Sequence, residues 1–351
     1  MSLPLWPDAA REQEFHAWLQ SLPASLQLRA DSVALATEDA STRRYLRLRD
    51  EAGQSYIVMD APTPPNDVRP FLAVGAMMSG CGLHVPAIHA ADKERGFLLL
   101  EDLGETTYLK ALQQATMPEA ERLMRAATTT LVHWQTRGDA TQLPAFDEAF
   151  VRRELQIFTD WCVQRHHGRQ WNEQQQAWWE QICALLARNI AEQPVVPMHR
   201  DYMPRNLMLL ADGTPGVLDF QDAVAGPIGY DIASLLRDAF LSWDEEQELD
   251  WAIRYWELAR KAGLFGEAHW ADDFGEFWRR LEWTGLQRHL KILGIYCRLH
   301  YRDGKSAYIA DLPRFYAYCI KVAMRYVELA PLKRLLEDLR PELTQTGFNL
   351  R

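Results

Sequence analysis

The hydrophobic periodicity of the chain changes once, near Gly104, and this change constrains the fold more than any other feature. Between residues 32 and 62, apolar and polar residues alternate in three short runs, which predicts an antiparallel meander of strands. The apolar run GFLLL at 96–100 suits an interior strand of the same sheet. After Gly104 the apolar residues recur with a helical period of about 3.6, and the strand-like interruption lies at 195–220.

This pattern predicts an α+β chain with two lobes, which agrees with its length of 351 residues at roughly 150 residues per domain. We expect a small antiparallel-sheet lobe over residues 1–101 and a large, mainly helical lobe over residues 102–351. In the first lobe, Asn66 or Asp67 can cap a helix over 67–79. Helices of the second lobe are predicted over 116–137, 147–166, 173–192, 229–240, 245–262, 270–302 and 312–339.

The composition argues against several classes of protein. The 38 Lys and Arg residues are outnumbered by 48 Asp and Glu residues and form no long basic run, so nucleic acid is not expected as the main partner. The N-terminus lacks the basic start and apolar segment of a signal peptide, and no stretch approaches the ~20 apolar residues that span a bilayer. We therefore expect a cytoplasmic protein without membrane contact. Its five scattered cysteines are expected to be reduced and mostly buried.

The densest group of potentially catalytic side chains lies in the segment 195–222. An apolar run leads to the triplet HRD, which ends at Asp201. Asn206 begins a second apolar run, which turns and returns to present Asp219. These residues stand at loop and strand ends, where their oxygen atoms can converge. Two carboxylates and an amide oxygen are hard ligands, and such ligands suit Mg²⁺ rather than zinc.

The spacing of these residues matches phosphoryl-transfer chemistry. Transfer from ATP needs a carboxylate to accept the proton of the attacking hydroxyl, and an Asn and an Asp to hold magnesium against the phosphates. The pattern HRDxxxxN, followed thirteen residues later by DF, supplies that set at the spacing of the kinase signature. The alternative is that both acids only form turns and that Asn206 is a cap.

From about residue 31 to residue 238 the sequence resembles the aminoglycoside phosphotransferase and choline kinase-like family, through the segments GFLLLEDLG, MHRDYMPRNLM and VLDFQDAVAGPIGYDIASLL. The resemblance implies a bilobal protein-kinase-like fold that binds ATP and Mg²⁺. It implies that Asp201 is the catalytic base and that Asn206 and Asp219 are the metal ligands. It also implies that the backbone of Glu101 and Leu103 holds the adenine.

In finer detail the chain resembles one branch of that family, the bacterial anomeric kinases for N-acetylmuramate and N-acetylglucosamine, through the segments DASTRRYLRL, YIVMDAP and RDGKSAYIADLPRF. This implies an ATP:sugar 1-phosphotransferase that serves the recycling of cell-wall (peptidoglycan) amino sugars. Two alternatives stay open at this point. One is a kinase for aminoglycosides or choline-like cations, and the other is a nucleotide-binding pseudokinase.

The predicted nucleotide site departs from the kinase pattern in its cation. Met59 stands where the third strand should carry a phosphate-binding Lys, and no Lys occurs before Lys93. Arg43 or Arg44 could replace it, and we expect Arg44, at the edge of the second strand, to face the phosphates. Their neighbours Ser41 and Thr42 can offer hydroxyl and backbone N–H groups to an anion.

Three residues of the helical lobe are candidates for binding the sugar. Arg205, inside the catalytic loop, could bind a lactyl carboxylate or a sugar hydroxyl as a planar fork donor, or it could simply pair with a neighbouring acid. Glu154 and Trp161 share one helical face with Phe158 and Cys162 by spacing. A carboxylate among aromatic rings fits a sugar site, and it fits helix packing nearly as well.

Overall fold

A computed structural model describes residues 6–36, 43–267 and 269–340 of the chain. The chain divides into two compact units, and each unit is formed by two separate stretches of the sequence. The sheet unit comprises Met1–Trp134 and Pro204–Asp222, and the helical unit comprises Gln135–Met203 and Ala223–Arg351. The sequence analysis instead placed a boundary after residue 101, between a nucleotide-binding lobe and a catalytic lobe. That functional boundary stays a prediction.

The sheet unit contains the predicted meander within a sheet of five antiparallel strands, in the order β1-β2-β3-β5-β4. Its strands are β1 Leu28–Leu35, β2 Arg44–Asp50, β3 Ser55–Asp60, β4 Ile88–Asp92 and β5 Phe97–Glu101. The register sets Tyr45 opposite Met59 and Met59 opposite Leu98, so these three side chains share one face. Strand β4 was not predicted, because its sequence IHAAD is too short and too polar to read as a strand.

The other face of the sheet packs against a helix that the sequence analysis missed, α1 (Ala9–Ser21). Phe15 and Trp18 of this helix join the buried Leu46, Leu48 and Phe97 in one apolar core, and the Trp18 ring stacks on Phe97 with centroids 5.1 Å apart. The pattern of α1 was too weak to predict it, because few apolar residues are spread through AAREQEFHAWLQS.

The sheet unit also holds three helices and a small hairpin. The helices are α2 (Arg69–Gly80), α3 (Tyr108–Gln114) and α4 (Met117–Arg137), whose last three residues belong to the helical unit. The predicted cap of α2 is wrong in detail, since the helix starts after Val68 without a side-chain cap and Asp67 accepts the N–H of Arg69. The hairpin consists of two short antiparallel strands between residues 207 and 217.

The helical unit contains a second strand pair and a large apolar core. Its strands β6 (Val195–Met198) and β9 (Val224–Pro227) are antiparallel, and the hairpin of the sheet unit, β7 (Leu207–Leu209) and β8 (Pro215–Val217), lies between them in sequence. Its helices are α5 (Glu148–Ile157), α6 (Glu173–Ala191), α7 (Gly229–Leu236), α8 (Glu245–Lys261), α9 (Phe274–Asp303), α10 (Leu312–Arg325) and α11 (Ala330–Leu339). All the helical patterns predicted for this region therefore contain helices, and the last divides into α10 and α11.

One predicted helix changes its geometry halfway. The helix expected over 147–166 is α-helical only to Ile157, and Phe158–His166 continues it as a π-helix. Helix α9 approaches this junction closely, because a Cβ atom at Gly294 would lie 2.4 Å from the carbonyl oxygen of Ile157. A π-helix turns by more residues per turn, so the spacing that placed Glu154 and Trp161 on one face no longer holds.

Two of the composition-based expectations can be compared with the structure. All five cysteines are free and buried, as expected. Within the described ranges, no helix combines the length and the apolar character that a membrane crossing requires.

Candidate active site

The segment 195–222 is divided between the two units, and each part is ordered by its own neighbours. Strand β6 delivers the triplet that ends at Asp201 within the helical unit. Asn206 and Asp219 belong to the hairpin β7–β8 of the sheet unit.

The backbone of the HRD triplet is held by a buried carboxylate, Asp231 at the start of α7. Its Oδ2 atom accepts the N–H of His199 at 2.7 Å, and its Oδ1 atom accepts the N–H of Arg200 at 2.9 Å. Arg200 has a φ of 76°, a left-handed conformation that is costly for a residue other than glycine. The two hydrogen bonds offset that cost, so Asp231 sets the path of the chain into Asp201. Burial raises the pKa of Asp231 to about 6.

Positive charges surround the Asp201 carboxylate within the helical unit. Removal from water by itself raises the pKa of this carboxyl group. The charges of Lys291, Arg288 and Arg200 outweigh that effect, and the pKa of Asp201 is lowered. The carboxylate is therefore ionised at neutral pH, as a proton acceptor must be before the reaction.

Glu154 was predicted to accept sugar hydroxyls, but its carboxylate is already paired inside the helical unit. It is only 4% exposed, and its Oε1 atom lies 3.2 Å from Lys291 Nζ and 3.3 Å from Arg200 Nη2. Gln287 donates to Oε2 at 3.0 Å. Two of these partners, Lys291 and Gln287, come from the distant helix α9, and Arg200 comes from the HRD triplet, so the sequence near Glu154 did not reveal them. A contact between Glu154 and sugar stays a prediction, and the structure assigns the carboxylate to an ion-pair cluster.

Trp161 lies on the π-helix, whereas Glu154 lies on the α-helical part before it. The half-buried ring of Trp161 packs against the apolar core of the helical unit, in which Phe158 and Cys162 are fully buried. The α-helical spacing on which the shared face was predicted ends at Ile157. The contribution of Trp161 to sugar binding stays a prediction.

In the sheet unit, the two candidate metal ligands stand side by side on the hairpin. Asn206 Nδ2 lies 3.3 Å from Asp219 Oδ2, and the N–H of Leu218 donates to the Asn206 carbonyl at 2.9 Å. Asp219 adopts a φ of 60°, which Asp tolerates better than most residues, and its Oδ1 atom accepts a hydrogen bond from Gln221 at 2.8 Å. Two hard oxygen donors fit Mg²⁺, because that ion usually takes one or two protein ligands and completes its shell with phosphates and water.

The residue after Asp219 anchors this hairpin to helix α2. Phe220 is fully buried, and its ring centroid lies 4.6 Å from that of Phe71. A Cβ atom at Gly75 would lie 3.2 Å from the Phe220 ring, so the helix approaches the ring at a position without a side chain. Helix α2 contains no Glu, so it lacks the acidic residue that pairs with the strand Lys in the general kinase pattern. It contributes apolar contacts to Phe220 of the DF pair instead.

The predicted adenine-binding segment, with Glu101 and Leu103, is fixed by Asp102 between them. The carboxylate of Asp102 accepts from Arg47 at 2.6 Å and 3.0 Å, from Ser55 at 2.5 Å and from the Gly104 N–H at 3.0 Å. The hairpin also packs here, since a Cβ atom at Gly216 would lie 2.7 Å from Leu103 Cδ1. The predicted adenine segment and the metal-ligand hairpin are therefore in direct contact within the sheet unit.

Arg44 is the first residue of β2, at the strand edge where the sequence analysis placed it, and its side chain meets a buried acid. It forms an ion pair with Asp60, a fully buried carboxylate that also binds Arg11 of α1 at 2.6 Å. Arg44 therefore lies on the face covered by α1, whereas Met59 and Tyr45 lie on the opposite face. The structure thus gives Arg44 a role in the fold, and its contact with phosphate stays a prediction.

Three further residues were predicted to bind ligands, namely Ser41, Thr42 and Arg205. Ser41 and Thr42 lie outside the described residues. Arg205 lies in a short 3₁₀ turn, Pro204–Asn206, that leads into β7, and its side chain is partly exposed. Their roles in binding ATP and sugar stay predictions.

Sequence reasoning missed the cations of α9 that act on Asp201. Arg288 and Lys291 are both buried in the middle of this helix. A usable signal was present, because buried arginine and lysine are rare unless they are paired or functional, and the central part of α9 is otherwise rich in apolar residues.

Known proteins are similar to this chain in sequence, and others are similar to it in fold. A family model described as "Phosphotransferase enzyme family" matches residues 32–272. An N-acetylmuramate/N-acetylglucosamine kinase of Pseudomonas aeruginosa is 44% identical over 95% of this chain and 98% of its own. The protein of the same name from Neisseria meningitidis is 43% identical over 96% and 99%. The choline kinase LicA from Streptococcus pneumoniae has a similar fold, with a TM-score of 0.59 at 12% identity over 91% of this chain and all of its own.

Proposed function

The chain belongs to the phosphotransferase enzyme family, and on this premise we propose that it transfers the γ-phosphoryl group of ATP to the anomeric (C1) hydroxyl of an N-acetylated amino sugar. N-Acetylmuramate and N-acetylglucosamine are the proposed acceptors, in agreement with the names of its relatives. The product would be a sugar 1-phosphate, and the proposed role is the recycling of cell-wall sugars in the cytoplasm.

The observation that carries this proposal is the environment of Asp201. Its backbone is positioned through Asp231, and its carboxylate is kept ionised by neighbouring cations. Such a group can orient a sugar hydroxyl and accept its proton late in a loose transition state, which asks for position rather than strong basicity. An anomeric hydroxyl is more acidic than other sugar hydroxyls, so a carboxylate of low pKa is adequate.

The remaining residues are assigned to nucleotide and sugar binding. Asn206 and Asp219 would hold Mg²⁺, which offsets negative charge on the phosphates when it is bound. For the nucleotide we propose that Glu101 and Leu103 bind the adenine through their backbone, and that Ser41 and Thr42, with Arg43 or Arg44, contact the phosphates. For the sugar we propose that Arg205 donates hydrogen bonds to a hydroxyl group, and that Glu154 and Trp161 also contact the sugar.

The charges near Asp201 favour this acceptor over cationic ones. Lys291, Arg288 and Arg200 all lower the pKa of Asp201, and two of them, Lys291 and Arg200, are paired with Glu154. The charge of Arg288 is not offset by that carboxylate, and we expect it to disfavour an aminoglycoside or a choline-like substrate, which is itself a cation. A neutral or anionic amino sugar would not be repelled.

The test is an acceptor panel with ATP and Mg²⁺, in which ADP release gives the rate and ³¹P NMR gives the phosphorylated position. N-Acetylglucosamine and N-acetylmuramate should give 1-phosphates, whereas kanamycin and choline should give background ADP. The methyl glycoside of N-acetylglucosamine keeps every other hydroxyl and should yield no product. Phosphorylation of that glycoside at a rate near that of the free sugar would show an ordinary hydroxyl kinase instead.

A further inference from the structure

Arg288, in the middle of α9, is a buried cation with few partners. The residue is only 2% exposed, and the Nε and Nη1 atoms of its side chain have no hydrogen-bond acceptor among the described residues. Its Nη2 atom lies 4.0 Å from the Sδ atom of Met203, which is a weak acceptor. A guanidinium in this state lacks the pairing that buried charges normally require.

Other buried cations of the same helix are paired. Lys291 Nζ lies 3.2 Å from Glu154 and 2.7 Å from the hydroxyl of Tyr230. Arg280 contacts Glu192 at 3.0 Å and Glu276 at 2.9 Å. The weak pairing of Arg288 is therefore a property of its position and not of the helix as a whole.

That position adjoins the catalytic loop. Met203, which covers the guanidinium, donates its backbone N–H to the carbonyl oxygen of Asp201 at 2.9 Å. The charge of Arg288 also contributes to the lowered pKa of Asp201. Arg288 thus lies close to the carboxylate that would face the reacting hydroxyl.

We propose that Arg288 is a specificity-determining residue that binds the carboxylate of a carboxylated amino sugar, as in N-acetylmuramate. A guanidinium presents two parallel N–H groups that match a carboxylate, and the unpaired Nε and Nη1 atoms offer this fork. Methionine is flexible enough for Met203 to move aside when the sugar enters. N-Acetylglucosamine has no carboxylate and would leave Arg288 unpaired. The inference rests on the proposed function, because it concerns the same acceptor site.

The helical unit also contains an alternative partner for Arg288, the carboxylate of Asp238. Asp238 is fully buried, and its Oδ1 atom has no hydrogen-bond donor in the described part of the chain, while Oδ2 accepts the N–H groups of Phe240 and Leu241 at 2.8 Å and 3.1 Å. The charge of Arg288 reaches this carboxyl group. A small rotation could pair the two, and Arg288 would then stabilise the fold instead of binding substrate.

Arg288→Met separates these possibilities, because it keeps an unbranched apolar stem and removes the charged guanidinium. We expect the KM for N-acetylmuramate to rise about tenfold or more, which corresponds to loss of one charge-assisted contact. The KM for N-acetylglucosamine should change less than about threefold, and the melting temperature should stay the same or rise. Arg288→Lys, which keeps the charge but not the fork, should give an intermediate KM for N-acetylmuramate.

Arg298→Met is the matched control. Arg298 also has an Nε atom without a partner, and it lies on the same helix about 15 Å further along the axis. This variant should leave the KM values of both sugars unchanged.

Several outcomes would overturn the inference. Equal effects of Arg288→Met on both sugars, a fall in kcat alone, or a lower melting temperature would assign Arg288 to Asp201 or to the fold. Discrimination between the sugars that is lost in Arg205→Gln and kept in Arg288→Met would assign the carboxylate to Arg205. A wild-type enzyme that phosphorylates neither sugar would instead refute the proposed function itself.

Discussion

Replacing Asp231 by Asn should separate activity from stability, because this buried carboxylate holds the catalytic loop at a cost. Both of its oxygen atoms accept backbone N–H groups, from His199 at 2.7 Å and from Arg200 at 2.9 Å. An Asn side chain has one oxygen, so one N–H group would lose its acceptor and face an amide NH₂ group. The left-handed Arg200 would then lose part of its support, and Asp201 would shift.

The stability effect follows from the pKa of Asp231. A rise from 3.8 to about 6 means that the charge costs the folded state about 3 kcal/mol at neutral pH. Asn removes this cost, and it loses about 1–3 kcal/mol for the unsatisfied N–H group. At pH 7.5 the free energy of unfolding should therefore stay within about 1 kcal/mol of the wild type or exceed it. Because a misplacement of about 1 Å can lower turnover a hundredfold, kcat should fall by about that factor.

The pH dependence of stability gives an independent check. Since the folded-state pKa lies above the unfolded-state value, the folded protein binds an additional proton between about pH 4 and pH 6, and its free energy of unfolding falls as the pH rises through this range. Between pH 5 and pH 7.5 the Asp231 contribution falls by about 1.4 kcal/mol. Asp231→Asn should lack this fall.

Urea unfolding at pH 5 and pH 7.5, together with kcat at pH 7.5, tests both expectations. Asp250→Asn is the control, because Asp250 is half exposed and pairs with Arg254 on the surface of α8. It should change neither kcat nor the pH dependence. A loss of several kcal/mol in Asp231→Asn at pH 7.5, or normal turnover, would show that the carboxylate does not act as described.

Four further substitutions test the other assignments. Asp201→Asn should reduce kcat by about a hundred- to ten-thousandfold while calorimetry still detects ATP binding, and near-normal turnover would exclude it as the base. Asp219→Ala should weaken Mg²⁺-dependent nucleotide binding in the same calorimetric assay, and unchanged affinity would remove it from the metal site. Arg44→Ala leaves the buried Asp60 with fewer partners and should lower the melting temperature, whereas Arg43→Ala should raise the KM for ATP about tenfold at normal stability. The reverse pattern would restore the phosphate role to Arg44.

Sequence periodicity was sufficient for the sheet and most helices. Alternation in RYLRLRD and SYIVMD predicted strands because one side of the sheet faces an apolar core, and Leu46 and Leu48 are indeed fully buried. The same reasoning did not find α1 or β4, whose apolar residues are too few for a clear pattern. It also missed the π-helix, which depends on the approach of Gly294 from a distant helix.

The candidate site shows the same division between local and distant information. Asp201, Asn206 and Asp219 could be selected from the sequence because their spacing within one short segment is itself the chemical signal. The electrostatic environment of Asp201 could not, because the two largest charge contributions to its lowered pKa come from Lys291 and Arg288 of α9, far away in the chain. Nothing in the local sequence states which face of that helix meets the loop.

Arg44 and Glu154 illustrate why residue type alone misleads. Both are charged, and the sequence suggested ligand contacts for both, Arg44 with phosphate and Glu154 with sugar. In the fold each meets a buried partner of opposite charge, Asp60 for Arg44 and Lys291 for Glu154. The sequence by itself determined most of the strands and helices and the candidate group of Asp201, Asn206 and Asp219, since these depend on local spacing. The tertiary structure decided which charges are paired and which remain for a ligand, because a charge removed from water must find its partner in space.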